Sequence, residues 1–242
     1  MMADRCQAGI IFAVPVEADA FERLASDRSE ILTEGLAFRA GSVGGRRVAW
    51  CVGGVGGPRA ERAARLLVAG HRPRVLISAG FAGGLTPALL RGGLVCPAAV
   101  RGPAPDDERL RLAGSDDAGP LLVTVDRIVR TPAEKRSLAA ATNAALVDME
   151  TLAIARLAEA AGLPCHGLRV ISDAADDELP SDVARLVEPQ SALRRAGSLL
   201  GMVGRRPRAA ADLWRLWERA VVDGKTLAGG LVDLLAELAA EA

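Results

Sequence analysis

The chain has 242 residues, half of them apolar, enough to bury a full core in one α/β domain. Thirty basic and thirty acidic residues cancel, which argues against a general nucleic-acid binder. Four dispersed cysteines (Cys6, Cys51, Cys96, Cys165) form no CxxC pair and no disulfide framework, and no apolar run approaches the roughly 18 residues of a spanning helix. A soluble protein with reduced, cytosolic thiols is expected; the apolar amino terminus is broken by Pro15 and Glu17 before a signal-peptide core could form.

In chain order, residues 8–14 (AGIIFAV) are a near-continuous apolar run, as expected of a strand buried on both faces. Glu17 follows directly and opens a helix over 18–25. A second strand, 47–53, runs into Gly53-Gly54-Val55-Gly56-Gly57-Pro58, a turn before a helix over 59–69. A third strand, 74–79, ends in Gly80-Phe81-Ala82-Gly83-Gly84-Leu85. Residues 94–100 read as a short strand, 102–119 as a loop rich in Pro, Asp and Gly, and 121–129 as another strand. Thr131-Pro132-Ala133-Glu134 is a capping box with proline at the first helical position, starting a helix that runs to about residue 141.

The stretch 147–176 (VDMETLAIARLAEAAGLPCHGLRVISDAAD) organises the rest. Apolar residues at helical spacing predict an amphipathic helix over 151–161, stopped by Gly162 and Pro164. The chain returns as a strand over 165–171. With residues 144–149 as a preceding strand, a right-handed crossover makes the two strands parallel, ending on one edge of the sheet. Glu150 then sits just past one carboxyl end and Asp173 just past the other, at the edge where open α/β sheets bind ligands.

Beyond Pro180 the pattern is helical. Seven arginines (Arg194, Arg195, Arg205, Arg206, Arg208, Arg215, Arg219) stand against two acids (Asp212, Glu218) between Ser191 and Arg219. Leu199-Leu200-Gly201-Met202-Val203 is an apolar patch inside this stretch, Trp214 and Trp217 lie on the following helix, and 226–240 is an amphipathic helix.

Several motifs fail on inspection. Gly54-Val55-Gly56-Gly57-Pro58-Arg59 lacks the third glycine of a dinucleotide fingerprint, and no acid follows at the ribose position. Gly224-Lys225-Thr226 ends like a phosphate loop, but Arg219 stands where the first glycine belongs. His71 and His166 are too isolated for a zinc site, so no metal is expected.

Five segments, in order across about residues 8–177, resemble the purine nucleoside phosphorylase and nucleosidase superfamily, and more closely its 5′-methylthioadenosine/S-adenosylhomocysteine nucleosidase branch. They are Gly9-Ile10-Ile11 through Glu17, Gly54-Val55-Gly56, Ala79 through Leu85, Val147-Asp148-Met149-Glu150, and Arg169-Val170-Ile171-Ser172-Asp173. The resemblance implies a three-layer αβα sandwich around a twisted mixed β-sheet, nucleoside phosphorylase-like, with a helical C-terminal extension. It makes 1–242 a single domain with its core at about 8–180 and the extension at about 181–242, assembled as a homodimer or higher homo-oligomer.

The chemistry suits these residues. Breaking a purine N-glycosidic bond passes through an oxocarbenium-like sugar, and the leaving base must gain a proton on a ring nitrogen. The resemblance makes Asp173 the proton donor, Glu150 the acceptor of the two ribose hydroxyls, and Glu17 the carboxylate that activates water beneath the sugar. Met149 then packs on the ribose; Ala82 and Gly83 let backbone approach the ligand, and Ser172 and Ile128 fall in the base pocket. The plainer readings stand beside these: Glu150 as a helix-capping acid, Asp173 as a loop acid and Glu17 as a solvated first-turn residue.

Three departures matter. Phe81 stands where the nucleosidases usually have a serine, Ile128 replaces the aromatic that stacks on adenine, and Ser78 stands where phosphorylases carry a phosphate-gripping arginine. No cofactor is expected, and water and phosphate both remain open as the nucleophile. Arg59, at a helix start, reads either as a surface arginine or as an anion ligand. The basic C-terminal stretch and the capped segment 131–135 resemble those of the hopanoid-associated phosphorylases, which are thought to remove adenine from adenosylhopane. The expected activity is therefore adenine release from a 5′-modified nucleoside, of the adenosylhopane type or alternatively methylthioadenosine, adenosylhomocysteine or futalosine. On this reading the Arg/Trp helices rest peripherally on the inner face of an anionic membrane; on the other they pack on the domain or at a dimer interface. A catalytically silent nucleoside-binding protein and a membrane adaptor are the readings from other classes.

Overall fold

In a computed structural model of the protein, the residues described are 6–114, 118–180 and 207–240, with side chains in the last segment described from Trp217 onward. The sheet is built around its longest described strand, β5 (Val75–Gly84), which pairs on both edges. On one edge β1 (Ala8–Phe12) runs parallel to its first half, Ala8 beside Val75 and Ile11 beside Ser78. On the other edge β11 (Cys165–Asp173) runs parallel to it, from Cys165 beside Leu76 to Asp173 beside Gly83, with a register shift before Asp173.

β10 (Leu146–Asp148) corrects the expectation of a parallel neighbour for β11. It pairs antiparallel with the far end of β5, Leu146 beside Gly84 and Val147 beside Gly83. Because β11 occupies the opposite edge over this span, β1 and β10 share one edge of β5 and run toward each other. Their last paired residues lie beside Ser78 and Gly83 of β5, with residues 79–82 between them, about 17 Å at the usual rise of a strand. The two ends face each other across this gap, whereas β10 and β11, expected to end on one edge, run in opposite directions on opposite edges of β5.

The sheet continues from β1 to β4 (Arg46–Val52), parallel, and then antiparallel through β3 (Leu36–Val43) to β2 (Ser26–Thr33). This hairpin carries no clear pattern in the sequence: β2, SDRSEILT, is exposed at every position. On the far side β10 pairs with β9 (Leu121–Thr124), then β7 (Ala99–Arg101) and β8 (Arg109–Arg111). The strand expected over 94–100 is divided, β6 (Leu94–Val95) joining β11 before Cys96 and Pro97, and β7 following. The strand expected over 121–129 ends at Thr124.

Helices cover both faces. α2 (Gly57–His71) and α4 (Thr151–Ala160) bury Ala60, Ala63, Leu67, Ile154 and Ala158 with Leu76 and Ile171 on one face. α1 (Pro15–Glu22) and α5 (Pro207–Ala240) cover the other, where Phe21, Leu227, Leu231 and Leu235 pack on Ile10, Phe12, Trp50 and Ile77. α1 starts earlier than expected, with proline at its first position, so Glu17 lies in its first turn rather than before it. α3 (Pro132–Thr142) begins at its Thr131 capping box.

α5 is one 34-residue helix in place of the separate helices read from sequence. From Asp223 onward it is part of the core. Gly224 lies where a Cβ would stand 2.6 Å from the Val16 carbonyl oxygen, so the close approach of α5 to α1 explains this glycine and disposes of the phosphate-loop likeness. Trp217 and Val222 are exposed. Arg194, Arg195, Arg205, Arg206 and the apolar patch 199–203 lie outside the described residues, as do the side chains of Arg208, Trp214 and Arg215. No helix among the described residues is long and apolar enough to cross a membrane.

Candidate active site

Glu17 enters the gap from the end of β1. One carboxylate oxygen accepts the backbone N–H groups of Ala13 (2.8 Å) and Val14 (3.0 Å); the other accepts that of Phe81 on β5 (2.8 Å). The bond from Val14, the N-cap residue, is one half of a capping box; valine has no side-chain acceptor to supply the other half. Glu17 is buried, and burial raises its pKa above the usual carboxylate value against the pull of the three N–H groups and of Arg169. Gly80 makes room for it: a Cβ there would stand 2.6 Å from Oε1.

Below the gap lies a buried polar network that the sequence reading did not assign. Arg169 of β11, 2% exposed, directs every N–H into the protein. Nε donates to Asp148 (3.2 Å); Nη1 donates to the carbonyls of Ser78 (2.7 Å) and Leu168 (2.9 Å); Nη2 donates to Asp148 (2.8 Å), Ser78 Oγ (2.6 Å) and Thr151 Oγ1 (2.5 Å). All five donors of the guanidinium are spent. Asp148 is fixed in turn by the Thr124 hydroxyl (2.6 Å), the Thr151 N–H (3.0 Å) and the Thr151 hydroxyl. A basic residue between Leu168 and Val170, in a strand otherwise apolar from 168 to 171, was the available signal.

Glu150 approaches from the end of β10. Its Oε1 accepts the N–H of Gly56 (2.7 Å), at the N-terminus of α2, and its Oε2 a longer bond from Met149 N (3.3 Å). The residue is half-buried by its exposed area, yet its carboxyl is enclosed. Desolvation, reinforced by the charge of Asp148, pushes its pKa up to about 8. Glu17, Glu150, Arg169, Ser78, Phe81 and Gly80 line one cavity in which the centre of a water-sized sphere has about 10 Å³. That is room for one water molecule. The glycine-rich turn 53–58, read as a failed dinucleotide motif, thus presents an N–H to Glu150.

Asp173 ends β11 beside Gly83, one residue past the gap. It is buried but is not among the residues lining the small cavity. Its Oδ1 accepts the Ser172 hydroxyl (2.6 Å), which also reaches the Ala82 carbonyl (3.3 Å). Its Oδ2 lies 2.6 Å from Lys135 Nζ as an ion pair, outside hydrogen-bonding angles, so this oxygen has no hydrogen-bond donor. Ala82 is buried, and Gly83 has space for a Cβ only at 3.2 Å from both Asp173 and Val147. Met149 and Ile128 are half-buried. Arg59 is exposed and its side chain lies over Gly54; no other contact of it points to an anion. Among the described residues no three His, Cys, Asp or Glu side chains are grouped to hold a metal ion.

The profile of one family, the phosphorylase superfamily, matches residues 7–120 and 118–203. The chain belongs to the phosphorylase superfamily. Similar solved structures include futalosine hydrolase of Helicobacter pylori strain 26695, 18% identical over 91% of this chain and 94% of that one, with a TM-score of 0.68. The 5′-methylthioadenosine/S-adenosylhomocysteine nucleosidase of S. pneumoniae, solved with a transition-state inhibitor, is 16% identical over 94% and 97% (TM-score 0.71). That of Campylobacter jejuni is 15% identical over 96% and 99% (TM-score 0.73). At these identities the likeness shows the fold: this phosphorylase-superfamily chain has the α/β nucleoside phosphorylase-like sandwich expected from its five ordered segments, with α5 as the C-terminal extension.

Proposed function

We propose that the protein is a nucleosidase that hydrolyses the N-glycosidic bond of a 5′-modified adenine nucleoside, with water and not phosphate as the nucleophile. The observation that carries this reading is the one-water cavity between Glu17 and Glu150, beside an arginine with no donor to spare. A phosphate needs several free donors and far more space.

Glu17 Oε1 accepts one N–H and retains a lone pair, so it can hold the attacking water and take its proton as oxygen bonds to C1′. Burial moves this carboxyl toward neutrality, the range in which a general base works best. Glu150 keeps acceptor capacity for the vicinal ribose hydroxyls, and Met149 packs on the sugar. Asp173 Oδ2, buried and without a donor, gives the ring nitrogen of the departing purine its proton, while Ser172 fixes the other oxygen. Ala82 and Gly83 form the floor and Ile128 a side of the base pocket.

For the 5′ group we favour a hopanoid-type lipid, on the likeness of the basic C-terminal stretch, over methylthioadenosine, adenosylhomocysteine or futalosine. Such a substrate implies a membrane contact, and Trp217 on α5 is 52% exposed. The test is adenine release from each of these nucleosides, with and without phosphate. Release independent of phosphate supports the reading. Binding without release leaves the silent nucleoside-binding protein that Phe81 and Ile128 suggest, and release only with phosphate makes the protein a phosphorylase.

A further inference from the structure

We propose that Lys135 is the positioning residue of the proton donor, and that Lys135 and Asp173 work as one unit holding a single transferable proton. This rests on the nucleosidase reading. Lys135 is fully buried, an uncommon state for lysine, and its ammonium is completely committed. Nζ donates to the carbonyls of Ala174 (2.5 Å) and Asp177 (3.0 Å) and stands 2.6 Å from Asp173 Oδ2. Two N–H groups meet carbonyl oxygens of the segment 173–177, and the charge of the ammonium faces a third oxygen of it, Asp173 Oδ2.

Stability alone gives little reason for this arrangement, because the desolvation of a buried ion pair largely cancels its attraction. Helix position gives none: Lys135 follows Glu134 in the first turn of α3, where the helix dipole opposes a cation. What the placement does is fix the one undonated carboxylate oxygen of the site and supply it with a proton.

In the resting pair the proton is on nitrogen. As the C1′–N9 bond breaks, its electron pair enters the purine. An N–H bond of Lys135 breaks as an O–H bond forms on Asp173; that O–H bond then breaks as the purine ring nitrogen is protonated. Neutral adenine leaves, Asp173 is again a carboxylate, and Lys135 is a neutral amine. The proton that Glu17 took from water returns to Lys135 through solvent when the products depart, so the cycle closes with no other reactant.

The test compares Lys135→Gln and Lys135→Met with the wild type on two substrates. One is 5′-methylthioadenosine, whose adenine must be protonated; the other is 4-nitrophenyl β-D-ribofuranoside, whose nitrophenolate leaves unaided. Gln can still donate to the Ala174 and Asp177 carbonyls but has no proton to give. Both variants are expected to lower kcat for adenine about 10²-fold with KM within about threefold, and to shift the adenine-to-nitrophenolate rate ratio at least about 10-fold. Equal loss on both substrates, through misfolding or a displaced site, or a matching rise in KM, makes Lys135 a packing residue and overturns the proposal. Wild-type protein that cleaves neither substrate refutes the nucleosidase reading itself.

Discussion

Replacing Gly80 by alanine should disable Glu17 without touching it. A Cβ at residue 80 would stand 2.6 Å from Glu17 Oε1 and 3.0 Å from its carboxyl carbon. Relief to an ordinary contact of about 3.4 Å requires a shift of about 0.8 Å, the difference between 3.4 and 2.6. Oε1 also accepts Phe81 N–H at 2.8 Å, so a shift of that size away from β5 stretches the bond to about 3.6 Å and breaks it. A hydrogen bond to a charged group contributes about 1.5–3 kcal/mol, and misplacing a reacting group by about 1 Å costs on the order of 10²-fold in rate. Gly80 is not in the left-handed region, so alanine adds no backbone strain. Steady-state adenine release should show kcat lower by about 30- to 100-fold with KM nearly constant. Thermal unfolding should show a loss of several degrees, as about 2 kcal/mol implies in a chain of this size. A variant with kcat within about threefold of wild type would refute Glu17 as a base held in place by β5.

Asp173→Asn should lower adenine release by about 10²–10⁴-fold while substrate binding survives, measured by turnover and by equilibrium binding; near-normal turnover removes Asp173 from the chemistry. Glu17 and Glu150 have folded-state pKa values raised by burial, Glu150 to about 8. Their neutral forms favour the fold, so this contribution is complete below about pH 4.5, the ordinary value, and is lost as pH rises through the folded values. The melting temperature should therefore fall between about pH 6 and pH 9, less steeply in Glu150→Gln. A wild-type melting temperature that rises over this range contradicts the burial argument. Replacing Trp214 and Trp217 by alanine should weaken pelleting with anionic vesicles and spare turnover of a soluble nucleoside; loss of fold and activity together would favour a packing role for this helix.

The sequence made the scaffold of the site readable where chemistry and pattern agree. The apolar run of β1, the glycines after β4 and the β10–α4–β11 unit form close to their expected bounds, whereas β5, expected to end at residue 79, runs on through Gly84. Glu17 and Glu150 line one cavity, reached through opposed strand ends that periodicity cannot distinguish from a parallel pair, while Asp173 lies past it on the β11 edge of β5. β2 was illegible because both of its faces are solvated, leaving no alternation to read. Lys135, Asp148 and Arg169 were passed over for a different reason. Charged residues are surface residues by default, and only tertiary pairing makes their burial tolerable. Two local anomalies pointed to Lys135 and Arg169: a lysine in a helix's first turn and an arginine inside an apolar strand.

The most direct test of hydrolysis is the fate of the oxygen. With 5′-methylthioadenosine in phosphate buffer made with ¹⁸O-labelled water, the released sugar should carry the label at C1 and no sugar 1-phosphate should form. Unlabelled sugar 1-phosphate as the product would contradict the assignment of water to the Glu17 cavity.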